Sequence, residues 1–212
     1  MRLMTANLLN TRVDTAALVR VLDEWKPNVV ATQELDFTAA DILSERYPHG
    51  LVRPGGVPGH GLLADFPIEV VVHPLPFRPL LTAAVALDGR TVTVGCIHLA
   101  NPVGISDVSR RPPQVRALLE VIEGDGPMVL VGDLNSSPAW PAYRMIRRHL
   151  DDGVAEWAER SGRRPPRTWN FRPHWPKVLR IDHAMVRGVT VNDVHAVDIE
   201  GTDHRALIVD VS

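Results

Sequence analysis

The sequence predicts one mixed α/β domain over residues 1–212, and three observations carry that prediction. A strand–helix–strand pattern opens the chain. Short apolar strands then alternate with amphipathic segments, and three strand patterns fill the C-terminal end. No internal repeat and no dividing linker interrupts a length ample for one substantial core.

Arg2–Asn7 is apolar and ends on a polar residue. Asp14 then precedes Ala17, Leu18, Val21, Leu22 and Trp25, the spacing of an amphipathic helix with an aspartate N-cap. Lys26-Pro27 ends it, and Asn28–Thr32 leads as a strand into Gln33-Glu34. Strands joined through a helix lie parallel, so Asn7 and Glu34 belong on the same carboxyl edge, where open α/β sheets gather ligands. Thr38–Arg46 reads as a second helix, followed by a Pro/Gly-rich connection through Gly61. From Leu62 to Leu87, short apolar runs alternate with prolines. Asp88-Gly89 marks a hairpin between Thr82–Leu87 and Thr91–Leu99, with His98 near the end of the second strand. Residues 112–123 read as a helix started by Pro112-Pro113 and stopped by Gly124. Met128–Val131 is wholly apolar, which predicts a central strand delivering Asp133 and Asn135 into a loop. Ala139–Leu150 reads as a helix and Arg160–Pro176 as a long surface loop. Val178–Arg187, Thr190–Ile199 and Arg205–Val211 read as strands, with Asp182-His183 inside the first and Asp203-His204 in the turn before the last.

Composition narrows the function classes. Lys+Arg total 23 against 25 Asp+Glu, a net charge of -2 that argues against a general nucleic-acid coating protein. Cys96 is the only cysteine, so an intrachain disulfide and a Cys-rich zinc site are excluded. Residues 1–10 read as a strand start rather than a signal peptide. No apolar run approaches the roughly 20 residues of a bilayer span, so the expected compartment is the cytoplasm.

The chemistry lies in a repetition. Six segments run from an apolar stretch into Asn, Glu, His, Asp or Asp-His. Taken singly, a lone Asp reads as a cap or turn residue, Asn7 as a turn former and His98 as a satisfied core histidine. Gathered on one sheet edge, they make a cluster of carboxylates, amides and imidazoles that is costly unless a cation compensates it. Oxygen ligands dominate and the His-Glu-x-x-His spacing is missing, which selects Mg²⁺ or Mn²⁺ over zinc. Such a site suits in-line attack of water on phosphorus.

The ordered set Asn7, Gln33-Glu34, His98-Leu99, Gly132-Asp133-Leu134-Asn135, Ile181-Asp182-His183 and Thr202-Asp203-His204 resembles the endonuclease/exonuclease/phosphatase superfamily. The resemblance implies a four-layer sandwich, two facing mixed β-sheets flanked by helices, and a metal-dependent phosphoester hydrolase. It implies that Glu34 is the principal metal ligand, with Asn7 and Asp203 close to the ion. Asn135 would hold a phosphate oxygen, Asp203 would orient His204, and Asp133 or His204 would activate water. His98 would be the acid for the leaving group, and Asp182 would support a catalytic histidine.

The sequence departs from that pattern at Ala64-Asp65, where many members carry Ser-Arg; Arg180, Arg205 and His60 are the candidates to replace that arginine. The expected substrate is a phosphoester, small, lipid-linked or nucleic acid. The main alternative is a DNA or RNA endonuclease or exonuclease, and the remote one a non-catalytic phosphate-binding module. Arg163–Arg180 is the one region that interleaves basic and aromatic residues. It reads equally as a substrate-gripping loop or as tryptophans packed on the sheet beneath solvated arginines.

Overall fold

The computed structural model describes residues 1–103, 105–172 and 175–212. In chain order the elements are β1 Arg2–Asn7, a 3₁₀ turn at Asn10–Arg12, α1 Thr15–Trp25, β2 Val29–Gln33, α2 Phe37–Arg46, β3 His49–Arg53, β4 His60–Ala64, β5 Val70–His73, β6 Leu80–Leu87 and β7 Arg90–His98. There follow α3 Ile105–Ile122, β8 Met128–Asp133, α4 Pro141–Ile146, β9 Asp151–Asp152, α5 Gly153–Ser161, β10 Asp182–Arg187, β11 Val191–Asp198 and β12 Arg205–Val211. They form two six-stranded sheets in the orders β11-β12-β1-β2-β4-β3 and β5-β6-β7-β8-β10-β9. Both are mixed, with parallel pairs β1/β2 and β7/β8.

Strand alternation explains the layering. Leu3 of β1 and Val129 and Val131 of β8 point into the space between the sheets, beside Ala184, Val186, Leu207 and Val209. Their neighbours face outward: Met4 and Ala6 pack on Leu18, Val21 and Leu22 of α1 and Leu43 of α2. Met128 and Leu130 pack on Val115 and Leu118 of α3 and Ile146 of α4. The result is helix, sheet, sheet, helix, the four-layer sandwich that the resemblance implied. No described helix is long and apolar enough to cross a membrane.

Several boundaries differ from expectation. The Pro/Gly-rich connection before Gly61 contains β3, and β4 already begins at His60. Helix α3 starts at Ile105, so Pro112 and Pro113 lie inside it rather than at its start. Tertiary anchors flank the two missing amide donors. Gln114 donates to the carbonyls of Arg78 and His98, and Arg111 donates to those of Ala100, Leu134 and Asn135. Helix α4 covers only Pro141–Ile146 of the expected Ala139–Leu150. Helix α5 stands outside the expected elements, although Val154, Trp157 and Ala158 carry its apolar spacing and Asp152 caps it by accepting from Ala155 N. The strand expected from Val178 begins at Asp182, Val178 and Leu179 instead pairing with Trp169. Within the expected surface loop, residues 173 and 174 lie outside the described residues.

Candidate active site

The same two-residue period that fills the inter-sheet core delivers the site. Asn7 follows Leu3 and Thr5 on the inward face of β1, His98 follows Val94 and Cys96 on β7, and Asp133 follows Val129 and Val131 on β8. Antiparallel β10 places Asp182 opposite Asp133, and parallel β7 places His98 beside it. The end of the inter-sheet space is therefore polar. Two backbone features shape it. Glu34 and Asn135 adopt left-handed φ values of 51° and 45°, a conformation non-glycine residues hold only where their surroundings enforce it. Gly132 has φ 141°, and a Cβ there would lie 2.0 Å from the carbonyl oxygen of Ile97, so only glycine lets β8 approach β7.

Asp133 is the hub. Its Oδ1 accepts from Asn135 N at 2.7 Å, and its Oδ2 accepts from Asn7 Nδ2 and Asn135 Nδ2, both at 3.1 Å. His98 Nε2 stands 3.5 Å from Asp133 Oδ2 and 3.9 Å from Glu34 Oε1. Asn7 Nδ2 also donates to Glu34 Oε1 at 3.3 Å, so one amide ties Glu34 of the first sheet to Asp133 of the second. His204 Nδ1 donates to Asp182 Oδ2 at 2.9 Å, while its Nε2 lies 4.0 Å from Asp133 Oδ2 and 3.8 Å from Asp203 Oδ1. Thr202 fastens this corner by donating to Asn7 O at 2.9 Å and accepting from His204 N at 3.1 Å. Thr168 Oγ1 accepts the amides of Ile181 and Asp182.

Burial sets the protonation pattern. It raises the Asp133 carboxyl to about 7, against the opposing pull of His204 and the hydrogen bonds from Asn135 and Asn7. Burial would lower His204, but the charge and hydrogen bond of Asp182, with Asp133 and Asp203 nearby, raise it to about 9. His98 is held well below 6.5 by burial, with Arg78 and His204 adding to the effect. Glu34 is raised, again mainly by burial.

All the residues singled out in the sequence, Asn7, Glu34, His98, Asp133, Asn135, Asp182, Asp203 and His204, therefore converge. One assignment changes: Asp203 does not orient His204. Asp182 holds the Nδ1 proton, because His204 precedes β12 with its ring turned towards β10. Asp203 lies on the opposite side of the ring, its Oδ2 accepting from Trp169 Nε1 at 3.0 Å. The arginine candidates change too. Arg180 is committed to Asp152 through paired bonds of 2.9 and 2.6 Å, and Arg205 to Asp198. The cation that Glu34, His60 and His98 all feel is Arg78, a buried residue just before β6 that donates to Leu99 O at 3.1 Å. Nothing in the Phe77-Arg78-Pro79 sequence marked it; only the fold brings it to this edge. The basic–aromatic loop divides: Trp169 and Lys177 grip Asp203, whereas Phe171 is 74% exposed and Arg172 stacks on Trp175.

The donor set fits a hard cation. Asp203 Oδ1 is buried with no hydrogen-bond partner, and Glu34 brings a second carboxylate next to the amide of Asn7. Asp133, Asp182 and His204 also carry ligand-type atoms all within 4.8 Å of one another. An ion there would compete with the Asp182–His204 bond and with the three donors already on Asp133. The Glu34–Asp203 side carries the weaker prior commitments.

The comparisons agree with this architecture. The family model described as "Endonuclease/Exonuclease/phosphatase family" matches residues 4–204. No curated protein matches significantly. Similar solved structures include an endonuclease/exonuclease/phosphatase from Beutenbergia cavernae, with 22% identity, TM-score 0.74, and coverage of 100% of this chain and 71% of that one. The TDP2 of D. rerio complexed with single strand DNA product has 19% identity and TM-score 0.72, covering 100% and 98%. A mannosyl-6-phosphatase of Bacteroides thetaiotaomicron has 16% identity and TM-score 0.70, covering 100% and 99%. At these identities the likeness is one of fold. The matched span runs from β1 to His204 and so takes in every strand end that builds the polar cluster: the chain belongs to the endonuclease/exonuclease/phosphatase family.

Proposed function

We propose that this chain is a divalent-metal-dependent hydrolase of phosphoesters, acting by in-line attack of water on phosphorus. The observation that carries the reading is the convergence of His204 Nε2, fixed by Asp182, with Asp133 and Asp203 at one end of the inter-sheet space. In this reading Glu34 and Asp203, with Asn7 beside them, hold Mg²⁺ or Mn²⁺. Bound there, the ion would supply charge neutralisation and Lewis-acid polarisation of a phosphoryl oxygen. Asp133, with a carboxyl pKa near neutrality, takes the proton of the attacking water. His204 stays protonated to about pH 9, so its Nε2–H donates to a phosphoryl oxygen as negative charge builds. Asn135 donates its two Nδ2 hydrogens to Leu99 O and Asp133 Oδ2, so it contacts phosphate only by releasing one of them. His98 is kept neutral by burial; it serves as a hydrogen-bond donor beside Asp133 rather than as a charged acid for the leaving group.

A nuclease is the second reading. It is favoured by exposed Phe171, whose ring lies 4.5 Å from Trp169, and by Arg172 stacked at 4.8 Å on Trp175, a surface suited to bases and backbone phosphates. One experiment separates the readings. Phosphomonoesters, phosphodiesters, polyprenyl phosphates, plasmid and abasic DNA, and RNA are offered with Mg²⁺ or Mn²⁺, beside Asp133→Ala and His204→Ala. Turnover of small or lipid phosphates that both variants abolish supports the first reading. Cleavage confined to nucleic acid supports the second, and turnover unchanged in both variants removes the assignment to this site.

A further inference from the structure

Beside the catalytic edge lies a surface groove with a volume of about 630 Å³. Arg111, Pro112, Val115 and Arg116 of α3 form one wall, and Trp140, Pro141, Ala142 and Met145, at and within α4, form the other. Pro102 and Val103 add further apolar lining. Val103 is 73% exposed and Met145 38%, so these side chains meet water rather than a core. An open, largely apolar concavity of this size falls in the range that holds small organic ligands.

Two observations say what enters it. The first is continuity with the proposed phosphate site. Ser136 lines the groove and directly follows Asn135 in the chain. Arg111 lines it too, and its Nη2 donates to Leu134 O at 2.9 Å, Asn135 O at 3.0 Å and Ser136 Oγ at 2.5 Å. Its Nη1 donates to Ala100 O, two residues beyond His98. One guanidinium therefore belongs to the groove wall and also holds the segment after His98 and the loop that carries Asn135. The second observation is charge: Arg111 and Arg116 are the charged lining residues, with no carboxylate among the described ones. A ligand that is apolar along its length and anionic at the end nearest Asn135 satisfies both.

We infer that the groove between α3 and α4 holds the apolar part of an amphiphilic phosphoester, with its phosphate at the Asp133–Asn135 edge. This inference rests on the hydrolase reading above for the chemistry, but not for the binding. Each methylene buried in the groove should strengthen binding roughly fourfold. An amphipathic helix of a partner protein would use the same walls without that dependence on chain length.

The test uses the full chain with Mn²⁺ and a series of n-alkyl phosphates from ethyl to octyl, kept below micelle-forming concentrations, with phosphate release as the readout. Calorimetry on the matching n-alkylphosphonates, which are not hydrolysed, measures binding separately. The expected result is kcat/KM and affinity both rising about threefold to fourfold per methylene until the groove is filled. Met145→Glu and Val103→Asp, checked for native circular dichroism, should flatten that slope. A wild-type series that is flat in both readouts overturns the inference. A slope that survives both substitutions also overturns it. Hydrolysis without chain-length dependence sinks the groove and spares the hydrolase. Phosphonate binding that climbs with chain length, but without turnover of any phosphoester, supports the groove and sinks the hydrolase.

Discussion

Asp182 Oδ2 accepts the Nδ1 proton of His204 at 2.9 Å, and the bond joins the two sheets, since Asp182 opens β10 and His204 immediately precedes β12. Both side chains are buried, with relative exposures of 1% and 5%. The carboxylate therefore fixes the orientation of the ring, leaving Nε2 turned towards Asp133 and Asp203.

Asp182→Asn should preserve the shape of this contact and remove its charge. The prediction is a fall in kcat/KM of at least ~100-fold, the lower end of what a positioned acid–base group contributes. Because the charge of Asp182 holds up the His204 pKa, the high-pH limb of the rate profile should move to lower pH. Rate profiles of wild type and variant from pH 5 to 10 check both.

The same pair makes stability depend on pH. His204 is raised in the folded protein from 6.5 to about 9, so its contribution is fully present below pH 6.5 and is lost as pH rises through about 9. In EDTA, the melting temperature should fall across that window. Asp182→Asn should show a shallower fall, which thermal scans at fixed ionic strength will measure.

Trp169→Phe removes the indole N–H that donates to Asp203 Oδ2 at 3.0 Å while keeping an aromatic ring in place. If Asp203 holds the ion, losing a partner that orients it should weaken Mn²⁺ activation ~10- to 100-fold. Metal titrations of activity, backed by direct Mn²⁺ binding, test this; an unchanged activation constant would place the ion away from Asp203.

Behind the catalytic edge, Asp152 accepts two bonds from Arg180 and one from Tyr143, all three groups lying at or below 8% exposure. Asp152→Asn should cost ~3–5 kcal/mol by leaving the buried guanidinium without its counter-charge. For a chain of this size that is about 10 °C in Tm. Burial opposes ionisation of Asp152, but the Arg180 bonds and charge outweigh it and hold the pKa at about 2. The stabilisation is therefore present above pH 3.8 and lost as pH falls through about 2. Acid unfolding followed by circular dichroism should show this loss in wild type and not in the variant.

Gly132→Ala should destabilise by roughly 1–3 kcal/mol or more, since the added carbon meets Ile97 O at 2.0 Å with φ at 141°. Thermal melts give the stability loss. Activity should fall alongside it, because Asp133 is the next residue.

Much of this molecule was legible in the chain itself. Strand periodicity ending on polar residues at Asn7, His98 and Asp133 is a local property, and it survives folding because each residue's face is set by its position in a two-residue repeat. The Asp14 cap and the Asp88-Gly89 hairpin were legible for the same reason, being written within a few residues. Strand β3 and the interior prolines of α3 were less so. There, contacts distant in sequence override local preference, as when Arg111 and Gln114 anchor the proline-bearing turn to loops on either side.

The sequence by itself determined which residues stand at strand ends, and therefore the chemical inventory of the site: carboxylates, amides and imidazoles without a thiolate. Only the tertiary structure decided how they pair. That Asp182 rather than neighbouring Asp203 holds His204, that Arg78 rather than Arg180 supplies the nearby cation, and that a groove opens beside Asn135 all depend on how two sheets face one another. Hydrogen bonds and ion pairs act over a few ångströms of space, and a two-residue pattern along one strand says nothing about which side chain of the opposite sheet lies within that reach.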